Sequence, residues 1–232
     1  MKIPHPGSRG WMPLPPPSCT FTQKFWLFRP GALTAGLRQV GEFRLRVLAE
    51  YAQAAPGEEA RAMRLRPGAM VWVREVLMSV DGIDAVAARS LTPLDASRGT
   101  WQGMRRLRTR PLADMLYHDR TVRRTAFECR RLAPGVPFYD TARAVLAEAA
   151  VIGQDGKVVD MRDWARNADA AGSRAAVAGE IVNRQLAIRA AVDRESRILA
   201  RRSVFWRHGQ PLLVAEGFMP GFWSKAGDRR PA

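Results

Sequence analysis

Two stretches of this chain can be laid on each other. Residues 70–93, MVWVREVLMSVDGIDAVAARSLTP, and residues 201–220, RRSVFWRHGQPLLVAEGFMP, each read as two strands around a short turn. β-Branched and aromatic side chains crowd the arms, and Asp81-Gly82 supplies a tight turn in the first. With Gly82 set on Gly209, an arginine stands eight residues before each glycine, Arg74 in one and Arg201 in the other. A charged residue stands seven after, Arg89 and Glu216, and a proline eleven after, Pro93 and Pro220. Such an echo points to two related hairpins in one antiparallel sheet. Strands of this kind beside alanine-rich, helix-forming stretches make the expected class α+β.

Side-chain alternation along a strand sharpens the reading. Glu216 shares a face with Leu212, Val214 and Phe218. Arg74 shares one with Trp72, Val76 and Met78, while Arg89 shares one with Ala85 and Ala87. A charge on an apolar stripe costs roughly several kcal/mol unless it is paired or hydrogen-bonded. Two outcomes are open. One is an internal Arg74–Glu216 or Arg89–Glu216 ion pair that only holds the sheet. The other is a concave pocket in which an arginine grips a ligand carboxylate with its rigid fork of donors, and an acid meets a hydroxyl or receives a proton.

The remaining segments fit around the hairpins. FWLFR at 25–29 leads through Pro30-Gly31 into a helix carrying Leu33, Leu37 and Val40, with Thr34 as its cap. Phe43, Leu45 and Val47 alternate as a strand. Trp101, Met104 and Leu107 mark a short helix that Pro111 ends, and LADMLYHD begins another. TVRRTAFECRRL, 121–132, has mixed strand character. Residues 133–198 differ in kind, since 15 of the 50 residues from 142 to 191 are alanine. Helix starts are expected after Asp140 and Asp160. The resulting division is a proline-rich, poorly ordered tail over 1–20, a single domain over 21–223 with an alanine-rich helical insertion at about 138–195, and a C-terminal tail over 224–232.

Composition removes several classes. The 232 residues are 47% apolar and 25% charged, a globular balance. No run of 18 apolar residues exists, so no stable membrane insertion is expected. Three scattered histidines lack ligand spacing, so no metal is expected. Rossmann and P-loop signatures are missing. Cys19 and Cys129 read as free thiols of a reducing cytoplasm. The net charge of +15 attracts anions without choosing among them. With no helix-turn-helix, zinc-finger or RNA-binding motif beside it, a basic surface with one anion site in a pocket is preferred to nucleic-acid binding.

FWLFRPGALTAGL (25–37), VWVREVLM (71–78), AARSLTP (87–93), RPLADMLY (110–117), RRTAFE (123–128) and ARRSVFWRHGQPLLVAEGFMP (200–220) together resemble bacterial chorismate pyruvate-lyase, and in that family's order. The resemblance covers roughly 25–132 and 195–223. It implies an antiparallel sheet with helices packed on it, and a ligand in an enclosed cavity under helical flaps. It implies conversion of chorismate to 4-hydroxybenzoate and pyruvate, without cofactor, as the source of the ubiquinone ring precursor. The family's carboxylate-binding arginine falls on Arg74, and its glutamate at the ring hydroxyl on Glu216, which makes these two the expected catalytic pair. A second arginine falls on Arg89, a candidate for the pyruvyl carboxylate or the ether oxygen. Main-chain contacts are expected near Gly31–Ala32 and Leu112. A cytoplasmic monomer is expected. The compact form of the family lacks about 60 residues found here between RRTAFE and ARRSVFW.

Two other readings use the same residues. A sensor of a small aromatic acid would bind in the same pocket without turnover. Effector domains of that kind usually follow a DNA-binding module, and only about 20 residues precede the core here. A basic scaffolding or peripheral-membrane protein would use the alanine-rich helices, whose apolar faces are modest.

Overall fold

The computed structural model describes residues 10–117, 119–151 and 198–227. Most of the alanine-rich insertion, including the helix start expected after Asp160, lies outside them.

Seven strands form one sheet in which every described pairing is antiparallel: β1 (Phe43–Ala54), β2 (Met70–Val80), β3 (Ile83–Pro93), β4 (Arg123–Arg124), β5 (Glu128–Arg131), β6 (Leu199–Arg207) and β7 (Gln210–Phe218). Their order is β1-β2-β3-β7-β6-β4, with β5 also paired to β6. The two hairpins read from the sequence are β2–β3 and β6–β7, and they meet at the β3–β7 seam. Each turns on a residue pair with positive φ, Asp81 (50°) with Gly82 (78°) and His208 (47°) with Gly209 (74°). Such pairs match the twist of the arms they join.

Six helices and a single 3₁₀ turn are described: α1 (Phe21–Phe28), α2 (Leu33–Val40), α3 (Gly57–Ala62), the 3₁₀ turn Gln102–Arg106, α4 (Ala113–Leu116), α5 (Pro137–Val151) and α6 (Pro220–Gly227). Thr20 caps α1 in a capping box with Gln23. Thr34 is not the cap of α2; it lies buried in the first turn, and Ala32 holds the cap position. α5 begins at Pro137, so Asp140 falls inside its first turn. α6 carries the domain beyond 223, because Phe222 and Ala226 are buried and Phe222 packs edge-on against Trp26 at 4.9 Å.

The sheet separates two layers. In front, α1, α2 and α6 pack on Val76, Met78, Val86 and Ala88. Behind, Phe138, Tyr139, Ala142 and Val145 of α5 pack on Leu77, Ala87, Ala200 and Ala215. The small side chains on this side let the helix approach closely, and Phe138 lies so near Gly217 that an added Cβ there would stand 3.1 Å from its ring. Residues 10–20 are not the loose tail expected from their prolines. Trp11 is buried in the rear layer, and Met12 exchanges main-chain hydrogen bonds with Cys129 on β5. Cys19 and Cys129 are both buried free thiols. None of the described helices is long and apolar enough to cross a membrane.

Two bulges decide which face each charge takes. Pairing slips between Val47 and Ala49 on β1, leaving Leu48 unopposed. It slips again where Ser79 pairs Asp84 but Met78 pairs Val86, leaving Ala85 unopposed on β3. One extra residue inverts all later parity. Ala85 therefore packs in front, whereas Ala87 and Arg89 face the rear. This corrects the expectation that Arg89 meets a ligand beside Arg74. Its Nε donates to Glu59 at 2.9 Å, and its Nη1 donates to Glu75 and to the Tyr51 hydroxyl. Thr141 of α5 donates to the same Glu75. Burial works against the Arg89 charge, but Glu59 and Tyr51 outweigh it and raise the guanidinium pKa. Burial in turn pushes the Glu59 carboxyl up, with Arg89 pulling it back.

Arg89 is thus a strut between the sheet, α3 and α5. Truncation to Ala should strand two buried carboxylates and cost about 3–5 kcal/mol of folding free energy. Urea denaturation of Arg89→Ala checks this; a loss below about 1 kcal/mol would show that the cluster carries little of the rear layer.

Candidate functional site

The front face of the sheet holds a pocket. Its floor is two cross-strand rows, Arg74–Ser90–Val214–Ser203 and Val76–Ala88–Glu216–Arg201, running from β2 through β3 and β7 to β6. Its cover comes from the start of α2 (Leu33, Thr34), from residues 111–117 around α4, and from Phe127. Apolar side chains make most of the wall, and two arginines and one glutamate are the charged members.

Arg74 and Arg201 stand at the two ends, and they are built alike. Each is almost wholly buried, at 2% and 1% exposure. Arg74 Nε donates to Glu50 at 3.1 Å, and its Nη2 donates to the carbonyls of Arg108 (2.5 Å) and Arg110 (3.4 Å). Arg201 Nε donates to Glu216 at 2.6 Å, and its Nη1 donates to the carbonyls of Trp26 (3.1 Å) and Arg29 (3.2 Å). Each therefore has a carboxylate on Nε and main-chain oxygens on one terminal nitrogen. The other terminal nitrogen, Nη1 of Arg74 and Nη2 of Arg201, meets no acceptor among the described residues. Glu50 reaches Arg74 because the β1 bulge turns it to the front. Arg108 itself has φ of +50°, a strained conformation that turns its carbonyl to Arg74.

Trp26 and Arg29 end α1, where helix carbonyls lack intrahelical partners. Arg201 supplies those partners, so it caps α1 from the sheet. Its guanidinium also lies 4.3 Å from the Phe127 ring centre. Burial lowers the Arg74 pKa and Glu50 opposes that fall; a guanidinium starting so high stays charged at neutral pH.

Two cover segments touch at the rim. The Tyr117 hydroxyl donates to the Gly31 carbonyl at 2.8 Å and accepts from Arg124 at 3.2 Å. Burial raises the Tyr117 pKa; Arg124 and Arg201 lower it, and Glu216 raises it further. Gly31 itself has φ of +76°, the turn that reverses the chain from α1 into α2.

Among the residues expected from sequence, the pocket brings together Arg74, Leu112 and Glu216. Gly31 and Ala32 sit just before the lining residues Leu33 and Thr34, with the Gly31 carbonyl at the rim contact. Arg89 is behind the sheet. Arg201 is the member that parity alone missed. A usable signal was present: a two-residue turn at His208-Gly209 pairs Arg207 with Gln210, and counting outward pairs Arg201 with Glu216. Tyr117 and Phe127 carried no comparable signal, because their place depends on how the cover folds back.

A family model described as chorismate lyase matches residues 14–160, which include Arg74 and Leu112 and end before β6. Full-length similarity takes in the rest. The chain is 52% identical over 226 residues to a probable chorismate pyruvate-lyase of Bordetella pertussis, covering 97% of this chain and 96% of that one. It is 33% identical over 218 residues to probable chorismate pyruvate-lyase 1 of Pseudomonas fluorescens, covering 94% and 93%. Coverage this complete means that these relatives also span the long segment between β5 and β6. Among solved structures, the ligand-binding domain of a putative GntR-family transcriptional regulator from Bordetella bronchiseptica is similar at 16% identity and a TM-score of 0.41, over 78% of this chain and 86% of that one. With the family model spanning more than half of the sequence and relatives matched nearly end to end, the chain belongs to the chorismate lyase family and is a carbon–oxygen bond-cleaving enzyme.

Proposed function

We propose that the front pocket encloses chorismate and releases 4-hydroxybenzoate and pyruvate, the aromatic product serving as the ring precursor of ubiquinone. Arg74 receives the ring carboxylate on its open Nη1. Glu216 meets the hydroxyl at the opposite ring position. One observation carries this reading: Arg74 and Glu216 share a face on β2 and β7, two strands apart, with apolar side chains between and above them. Two strand spacings with a two-residue offset between their rows put the main chains about 12 Å apart. Side chains reaching inward shorten that to the scale of a substituted ring with polar groups at both ends.

The step balances without an outside reagent. The bond between the ring carbon and the ether oxygen breaks, and the neighbouring ring carbon loses its hydrogen. The enolpyruvyl methylene gains one hydrogen and its oxygen becomes the pyruvate keto group. Aromatisation supplies much of the driving force. The protein's share is to hold both ends of the substrate in a geometry from which this elimination proceeds, with fixed charges in a site of low water content. If hydrogen passes directly from ring to methylene, Glu216 orients the hydroxyl and is not a base.

Purified protein incubated with chorismate should release pyruvate and 4-hydroxybenzoate in equal amounts. Loss of a charge-assisted anchor costs about 2–3 kcal/mol, so Arg74→Ala should lower kcat/KM on the order of 30- to 150-fold. Coupled pyruvate detection reads both, and no pyruvate from folded protein that binds 4-hydroxybenzoate would mark a binding protein instead. In D₂O, direct transfer predicts a pyruvate methyl group free of deuterium at short times, before exchange with solvent. One deuteron per methyl, seen by mass spectrometry, would assign a base, and Glu216→Gln would then show whether it is Glu216.

A further inference from the structure

We propose that Arg201 is the second anion anchor of the site: its open Nη2 holds the carboxylate of the group that leaves. The inference rests on the chorismate reading above and extends it to the pyruvyl end.

The first ground is the likeness of Arg201 to Arg74. Both stand eight residues before a turn glycine, in outer strands of the paired hairpins. Both spend Nε on a carboxylate and one terminal nitrogen on main-chain carbonyls of a segment that leads into the cover. Both keep the other terminal nitrogen without a described acceptor in a residue at least 98% buried. A guanidinium so enclosed, with donor capacity left over at a pocket wall, is built to take an anion.

The second ground is position. Chorismate carries its ether on the carbon next to the one bearing the hydroxyl. With the ring carboxylate at Arg74 and the hydroxyl at Glu216, the ether must lie beside Glu216. In the row through Glu216, one neighbour is Ala88 and the other is Arg201. Only the Arg201 side offers a cation. Arg89 cannot serve, since it points to the rear layer.

This arrangement separates substrate from product by charge. Substrate engages both arginines; 4-hydroxybenzoate engages one. Arg201 therefore sets the preference for a dicarboxylate and contributes little to product retention.

The test uses two probes on the full chain, 4-hydroxybenzoate and 3-(carboxymethoxy)-4-hydroxybenzoate, by titration calorimetry. Arg201 also neutralises Glu216, so Arg201→Gln is made in a Glu216→Gln background and compared with Glu216→Gln alone, with thermal melts to confirm folding. The dicarboxylate should weaken on the order of 10- to 100-fold on losing Arg201, and the monocarboxylate by less than about 3-fold. Equal loss for both probes would overturn the proposal and leave Arg201 as the partner of Glu216 and cap of α1. Should the double variant fail to fold, Arg201→Lys gives the same contrast: a dicarboxylate preference reduced by several-fold supports the anchor, and an unchanged preference overturns it. If Arg74→Ala binds both probes like the unaltered protein, the pocket assignment itself has failed, a result distinct from failure at Arg201.

Discussion

A guanidinium buried in a sheet must be given acceptors, and here main-chain carbonyls from distant segments provide them. Arg201 takes the C-terminal end of α1, and Arg74 takes the loop before α4. These bonds fasten to the floor, at two points, the segments that lead into the cover. An unmet donor of this kind costs about 1–3 kcal/mol and more when charged, so neither arginine tolerates an open cover cheaply. Each arginine also needs a carboxylate, which explains why Glu50 and Glu216 lie where they do. On the proposed reading, substrate binding and cover closure depend on the same two side chains.

The sheet's two faces divide the work. Arg74, Arg201 and Glu216 retain unspent hydrogen-bonding capacity in front, where a pocket exists. Behind, every side-chain nitrogen of Arg89 has an acceptor, and Arg202 binds Glu128 and Glu58 through Nε and Nη1 and lies over Trp11 at 4.4 Å. Four buried arginines among the described residues thus divide between two layers. What separates them is whether the guanidinium lines the front pocket, which residue type and burial alone do not reveal.

Much of this was legible in the sequence. Both hairpins follow from strand-forming arms and glycine turns, and the odd acid at Glu216 followed from its apolar neighbours. Matched segments supplied the chemistry. The bulges were not legible. Leu48 and Ala85 are ordinary strand residues, and nothing in either marks it as unopposed, yet Ala85 decides the face of Arg89. Arg201 was within reach, because a two-residue turn fixes its partner. The packed segment 10–20 was hidden by its prolines, which describe local stiffness and say nothing of what Trp11 finds across the sheet.

The strand of main chain around Met12 has one more effect. Its two hydrogen bonds to Cys129 occupy donors and acceptors on β5 that would otherwise lie open at a sheet margin. At the opposite margin, β1 carries exposed Arg44, Arg46 and Glu50, charges that discourage another strand from adding. One border is thus sealed by the chain itself and the other guarded by charge. Shortening the protein past Met12 would unseal the first, inviting edge-to-edge association between copies and turning a trim of a few residues into a solubility defect.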